Sequence, residues 1–132
     1  MRMPTRRLLL AGIIGAVAAN IAPAHAANAQ EFDATAFADA QQSGRPILVA
    51  IHAWWCPVCL VQKVIINTVI GARRYDDLAY FVVDYDRQKD LVRRFGAQRQ
   101  STLIVFRGRM EMGRSVGETN DGSIVELVAK AL

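Results

Sequence analysis

From residue 32 onward, apolar positions come in blocks whose spacing alternates between helical and extended. Phe32, Ala36, Phe37 and Ala40 recur every three to four residues, the period of one helix face, and Asp33 stands where an N-cap belongs. Ser43, Gly44, Arg45 and Pro46 end that helix, with a glycine after its last turn and a proline beyond. Residues 47–53 are apolar at nearly every position, the pattern of a central strand buried on both faces. Helical spacing returns from Pro57 to Ile70. It predicts Val61, Val64, Ile65 and Val69 on the inner side, with Gln62, Lys63 and Asn67 elsewhere. Residues 71–77 read as a polar turn with Arg73 and Arg74 in solvent. Residues 78–85 form a second apolar strand. A short helix is expected over 88–95, capped by Asp86 or a neighbour and closed by Gly96. Residues 102–106 make a third strand, 107–109 a tight turn, and 110–116 an antiparallel return. Met110 and Met112 alternate on that return and predict a packing face. Gly117 ends it, and Ile124, Leu127, Val128 and Ala131 mark a last helix. Residues 27–30, small and polar, read as an irregular start.

Helices thus alternate with strands until a closing hairpin and a final helix. Strands joined through a long helix are expected to be parallel with a right-handed crossover. The predicted class is α/β, a mixed central sheet flanked by helices on both faces.

The first 26 residues follow another logic. Arg2, Arg6 and Arg7 precede an uncharged apolar stretch from Leu8 to Ala19, and Ala24-His25-Ala26 follows Pro23. A basic start, a short apolar middle and a small-x-small site predict a cleavable export signal over 1–26, cut after Ala26. The expected location is the periplasm or the exterior, and the arginine pair also resembles a twin-arginine signal. The alternative is an uncleaved inner-membrane anchor over residues 8–30, the one case in which a membrane would be a partner. Charge follows from this division. The chain has 16 basic and 12 acidic residues, a formal +4. Without the three leader arginines 13 basic residues face 12 acidic ones, a formal +1, and nothing suggests nucleic acid. Residues 27–132 suit one domain, expected to be monomeric.

The candidate chemistry sits between the first long strand and the second helix. Cys56 and Cys59 are the only cysteines in the chain, within Trp54-Trp55-Cys56-Pro57-Val58-Cys59. A helix N-terminus has unpaired N–H groups and the positive end of the macrodipole, and both favour a thiolate. Thiol pKa values in such Cys-x-x-Cys sites fall from about 8.5 to roughly 3.5–7.5. Pro57 suits the first helical position. Cys59, one turn on, shares a face with Cys56 and can close or resolve a disulfide. Two other roles compete. A zinc site needs two more ligands, and beyond residue 26 the chain offers one histidine. A structural disulfide closing so short a loop constrains the unfolded chain little. His52 is a candidate for proton transfer, or a histidine hydrogen-bonded at the core edge. Trp54 either faces a substrate or packs. No metal, nucleotide or flavin site is visible, so no cofactor is expected.

These residues together resemble the thioredoxin family over essentially all of residues 27–132. The resemblance is carried by the strand 47–53, Trp55-Cys56-Pro57-Val58-Cys59, Val83-Asp84-Tyr85-Asp86, the segment 95–106, Gly108 in the hairpin turn and Gly117. It implies a thioredoxin-like fold and thiol–disulfide exchange with protein thiols and disulfides and with a redox partner protein. By position Cys56 would attack and Cys59 resolve. Trp55, Pro57, Ser101 and Thr102 would form the active-site surface. With the leader, the whole resembles a periplasmic thioredoxin-like protein, with a lean toward reductase. The departures are specific. Pro57-Val58 replaces Gly-Pro, Ala50 stands where the family has a buried acid, Leu60 replaces a lysine, and Ser101 replaces the cis-proline. A cis bond before serine costs about 2.5–4 kcal/mol, so Gln100–Ser101 is expected trans, with the Ser101 N–H and hydroxyl able to point at Cys56. A rival function is a thioredoxin-fold binding module for copper or client proteins, with the methionines and His52 as copper ligands.

Overall fold

The computed structural model describes residues 27–132. The export signal over 1–26, its cleavage after Ala26 and all but the last residues of the alternative 8–30 anchor lie outside the described residues. The elements run β1 (Ala29–Glu31), α1 (Ala34–Gln42), β2 (Pro46–His52), α2 (Pro57–Val69), a 3-10 turn (Arg73–Tyr75), β3 (Ala79–Asp84), α3 (Lys89–Arg94), β4 (Thr102–Arg107), β5 (Met110–Val116) and α4 (Asp121–Ala129). The strands form one mixed sheet in the order β1-β3-β2-β4-β5. β2 pairs parallel with β3 and antiparallel with β4, and β4 and β5 form the expected hairpin.

β2 is central because both its faces are apolar. Ile47, Val49 and Ile51 pack with Ala40 of α1 and Val92 of α3. Leu48 and Ala50 pack on the opposite side with Ile66 of α2 and with Ile124, Leu127 and Val128 of α4. The period-2 alternation of a strand sends neighbouring residues to these two layers. Helices therefore cover both faces, and β2 runs its C-terminal end toward the cysteines.

Several local expectations are corrected. Residues 29–31 are not an irregular start but an edge strand, parallel to β3. All three side chains are exposed, so the strand is held by backbone pairing and carries no hydrophobic signature. Phe32 lies outside α1, on whose N-cap Asp33 Oδ1 accepts the Ala36 N–H at 2.7 Å. It joins instead a cluster of rings with Phe37, Phe81 and Phe95. The segment 71–77 is not wholly polar: Tyr75 is buried, while Arg73 and Arg74 are exposed as expected. No side chain caps α3; Asp84 Oδ1 accepts the N–H groups of Asp86 and Arg87 in the turn before it. Met112 packs on the core, but Met110 is exposed, so the two do not share a packing face.

The inner face of α2 is the largest correction. Val61 and Val64 are exposed, Ile65 and Val69 pack partly on the core as expected, and Cys59, Gln62, Ile66 and Ile70 point inward. The helix is apolar on most sides, so periodicity alone does not fix its rotation. The N-terminus fixes it: once Cys59 faces inward, Gln62, Ile66 and Ile70, three, seven and eleven residues on, follow on the same face. The β4–β5 turn needs Gly108, at φ +57, because a Cβ there would lie 3.2 Å from Gln41 O and Gly44 Cα.

Candidate active site

Cys56 is itself the N-cap of α2. Its backbone is extended, and its Sγ accepts the Cys59 N–H at 3.2 Å. A sulfur in this position replaces the usual capping oxygen and takes up one of the orphan donors of the first turn. Pro57 follows at the first helical position, exposed, as expected. Ser101 Oγ lies 3.6 Å from the same sulfur. Burial pushes the Cys56 thiol up. The Cys59 thiol, the Cys59 N–H, the Ser101 hydroxyl and the Val58 backbone outweigh it, and the net pKa is lowered. Cys59 moves the other way. Burial raises it, and the hydrogen bond its thiol gives to Cys56 raises it further. The two sulfurs are thus differentiated as a nucleophile and a protonated partner. Residue accessibility does not differentiate them: Cys56 is 3% and Cys59 2% accessible.

The loop from Arg99 to Thr102 closes the site from the β4 side. No cis peptide bond occurs among the described residues, so Gln100–Ser101 is trans as expected. Ser101 instead adopts φ +57, the only non-glycine residue at positive φ among those described. That left-handed conformation costs an L-residue about 1–2 kcal/mol. Its N–H donates to Ile51 O at 2.9 Å and does not face Cys56; only the hydroxyl does. Thr102 is not on the active-site surface. It is buried in β4, and its hydroxyl donates to Arg99 O at 2.7 Å.

The periodicity puts Gln62 off the inner face, yet its buried Nε2 donates to Ser101 O at 3.1 Å and Glu118 O at 3.0 Å. The available signal was its spacing, three residues after Cys59 and so on the same helix face. Trp55 is half-exposed, and its indole N–H donates to Asp86 Oδ2 at 2.8 Å, which holds the ring beside the motif. Trp54 is 77% exposed and does not pack.

Behind Cys59 lies a cavity of about 90 Å³ whose walls include Ala50, His52, Lys63, Tyr80 and Val82. Ala50 pairs with Val82 across β2 and β3, and with no acid at either position the space stays open. His52 also borders a solvent groove formed with Glu31, Asp84 and Arg87. Its pKa is lowered by burial and by nearby Lys63, against a smaller opposing effect of Asp84. Met110 lies opposite Arg107, at the end of β4 away from Ser101. Among the described residues, Met110 and the cysteines therefore do not meet at one copper site.

The family model described as Thioredoxin matches residues 24–130. A thioredoxin of Chlamydia muridarum is 31% identical over 94 residues, 71% of this chain and 89% of that protein. A bifunctional thioredoxin reductase/thioredoxin of Mycobacterium leprae is 28% identical over 93 residues, 70% of this chain but only 20% of that longer protein. Among solved structures, Trxlp from Edwardsiella tarda superposes with a TM-score of 0.74 at 36% identity, covering 76% of this chain and 98% of that one.

Proposed function

The chain belongs to the thioredoxin family and is a protein-disulfide oxidoreductase working by dithiol–disulfide exchange; from that premise we propose an exported reductase in which Cys56 attacks and Cys59 resolves. The observation that carries the roles is the Cys56 sulfur at the N-cap of α2, receiving the Cys59 N–H at 3.2 Å while the Cys59 thiol stays protonated beneath it.

In the reducing direction the Cys56 thiolate attacks one sulfur of a substrate disulfide and expels the other as thiolate. Cys59 then loses its proton and attacks the Cys56 sulfur. The substrate's second thiolate leaves, and two electrons have passed to the substrate as the Cys56–Cys59 disulfide forms. A redox partner protein then supplies two electrons by thiol–disulfide exchange and returns the Cys56–Cys59 disulfide to the dithiol. The Cys59 proton has no carboxylate to go to on β2. The cavity joins Cys59 to His52, and burial keeps His52 neutral at pH 7, able to accept a proton and pass it to the outer groove. Trp54 and Trp55 offer the substrate an exposed aromatic surface beside the sulfurs.

The export reading is supported by the pattern of residues 1–26 and would put the domain in the periplasm or outside the cell; the domain is proposed to act as a monomer. The direction is tested by the reduction potential of the Cys56–Cys59 pair. Stabilising the Cys56 thiolate favours the reduced form and raises the potential. The expected value lies between about −270 and −180 mV, with insulin disulfides reduced at a matching rate. A value near −120 mV, that of a strong oxidant, would overturn the reductase reading.

A further inference from the structure

The inner face of α2 carries one polar side chain among apolar ones, Gln62, and its place is unexpected for a helix that packs on a hydrophobic sheet. A buried amide of this kind needs partners. Both contacts of its Nε2 are to carbonyls, Ser101 O and Glu118 O, which accept and cannot donate, so the NH₂ end must face them. These two carbonyls flank the β4–β5 hairpin: Ser101 precedes β4 and Glu118 follows β5. The amide therefore ties both ends of the hairpin to the helix that carries the cysteines. The Ser101 carbonyl accepts a second bond from Gly117 N–H at 2.9 Å, and the Ser101 N–H is held by Ile51 O. Fixed on both sides, Ser101 keeps φ +57, and in that conformation its hydroxyl stands 3.6 Å from Cys56 Sγ. Left to relax, a serine would return to negative φ and carry the hydroxyl elsewhere.

We infer that Gln62 is a positioning residue: it clamps Ser101 in the left-handed conformation and thereby sets the reactivity of the Cys56 sulfur without touching it. This gives a role to the trans Ser101 loop, at the position where the family resemblance implies a cis-proline. The inference rests on the exchange reading for its consequence, but its measurement needs no turnover.

The test is a double-mutant cycle on the reduced full chain, with Gln62→Met, Ser101→Ala and the double variant. The readouts are thiolate absorbance against pH and the rate of Cys56 alkylation at pH 7. A hydrogen bond to a charged group is worth enough to predict a roughly five- to tenfold slower alkylation in each single variant, with the titration moved to higher pH. The double variant should be no slower than either single one, because both changes remove the same donor. Should Gln62→Met fail to fold, Gln62→Asn, which keeps the amide but shortens its reach, takes its place in the cycle. An unchanged titration in a folded Gln62 variant, or effects that multiply in the double variant, would overturn the inference. So would an unchanged titration in Ser101→Ala alone, which needs no Gln62 variant to fold. A parent protein that reduces no disulfide while the cycle behaves as expected would sink the exchange reading and leave the positioning role standing.

Discussion

At the scale of single residues, two sulfurs of equal accessibility differ in what surrounds them. Cys56 collects hydrogen bonds that favour its charge, and Cys59 gives one away. In the reduced protein Cys56 should alkylate at least about tenfold faster than Cys59 at pH 7. Peptide mapping after a timed pulse of iodoacetamide measures this, and equal labelling would remove the assignment of roles. Cys59→Ser should trap mixed disulfides with substrates, while Cys56→Ser should not. His52 makes a second prediction, on stability. Its folded pKa lies below 6.5, so on acidification the unfolded chain takes up the proton first. Its contribution is therefore complete above pH 6.5 and is lost as pH falls from there through the folded pKa. Urea midpoints measured between pH 7.5 and 5 should fall less steeply in His52→Gln than in the parent. A steeper fall in the variant would contradict the sign.

Elements show a different kind of constraint. α2 is a helix with apolar residues on most of its circumference, and only its N-terminal cap decides which of them are inside. Ile66 is fully buried and Val64 is exposed at 68%. Ile66→Ala should cost about 2–5 kcal/mol through the cavity it leaves. Val64→Lys should change stability by no more than about 0.5 kcal/mol, as for other solvent-facing positions. Chemical unfolding of the two variants reads the rotation of the helix directly, and a large loss in Val64→Lys would place the wrong face inward. The exposed Leu60, Val61 and Val64 also leave an apolar border to the cysteine site where the family's lysine would follow Cys59.

For the molecule as a whole, the cysteine site lies where β2, α2 and the loop before β4 converge, at one end of the sheet. Its parts come from segments remote in sequence, Cys56 from one and Ser101 from another, and the sheet order brings them together. The proposed export would set the redox surroundings in which this end works. Expression with the full leader should give a periplasmic or secreted product beginning at Ala27, verified by intact mass. Retention of Met1 or Arg2 in a membrane fraction would favour the anchor over 8–30 instead. Recovery in an oxidising compartment should leave the Cys56–Cys59 pair sensitive to its redox partner, since the pair has no other cysteine in the chain to exchange with.

Much of this was legible in the residues alone. The alternation of helical and extended periods gave the long elements and the mixed sheet, because burial of a strand on two faces and of a helix on one leaves different spacings. The Cys-x-x-Cys at a strand-to-helix junction carried its own chemistry, because the unpaired N–H groups of a helix N-terminus favour a thiolate. The missing proline at Ser101 gave the trans bond by an energy difference local to one peptide. β1 escaped notice because backbone pairing alone holds it, and backbone groups are common to every sequence. The rotation of α2 escaped because an apolar helix has no preferred face until something else docks it. Only the folded chain could bring Gln62 under Ser101, and Ser101 beside Cys56. Those contacts join residues 39 and 45 positions apart, and a hydrogen bond across that separation depends on how sheet and helix pack, which no local spacing encodes.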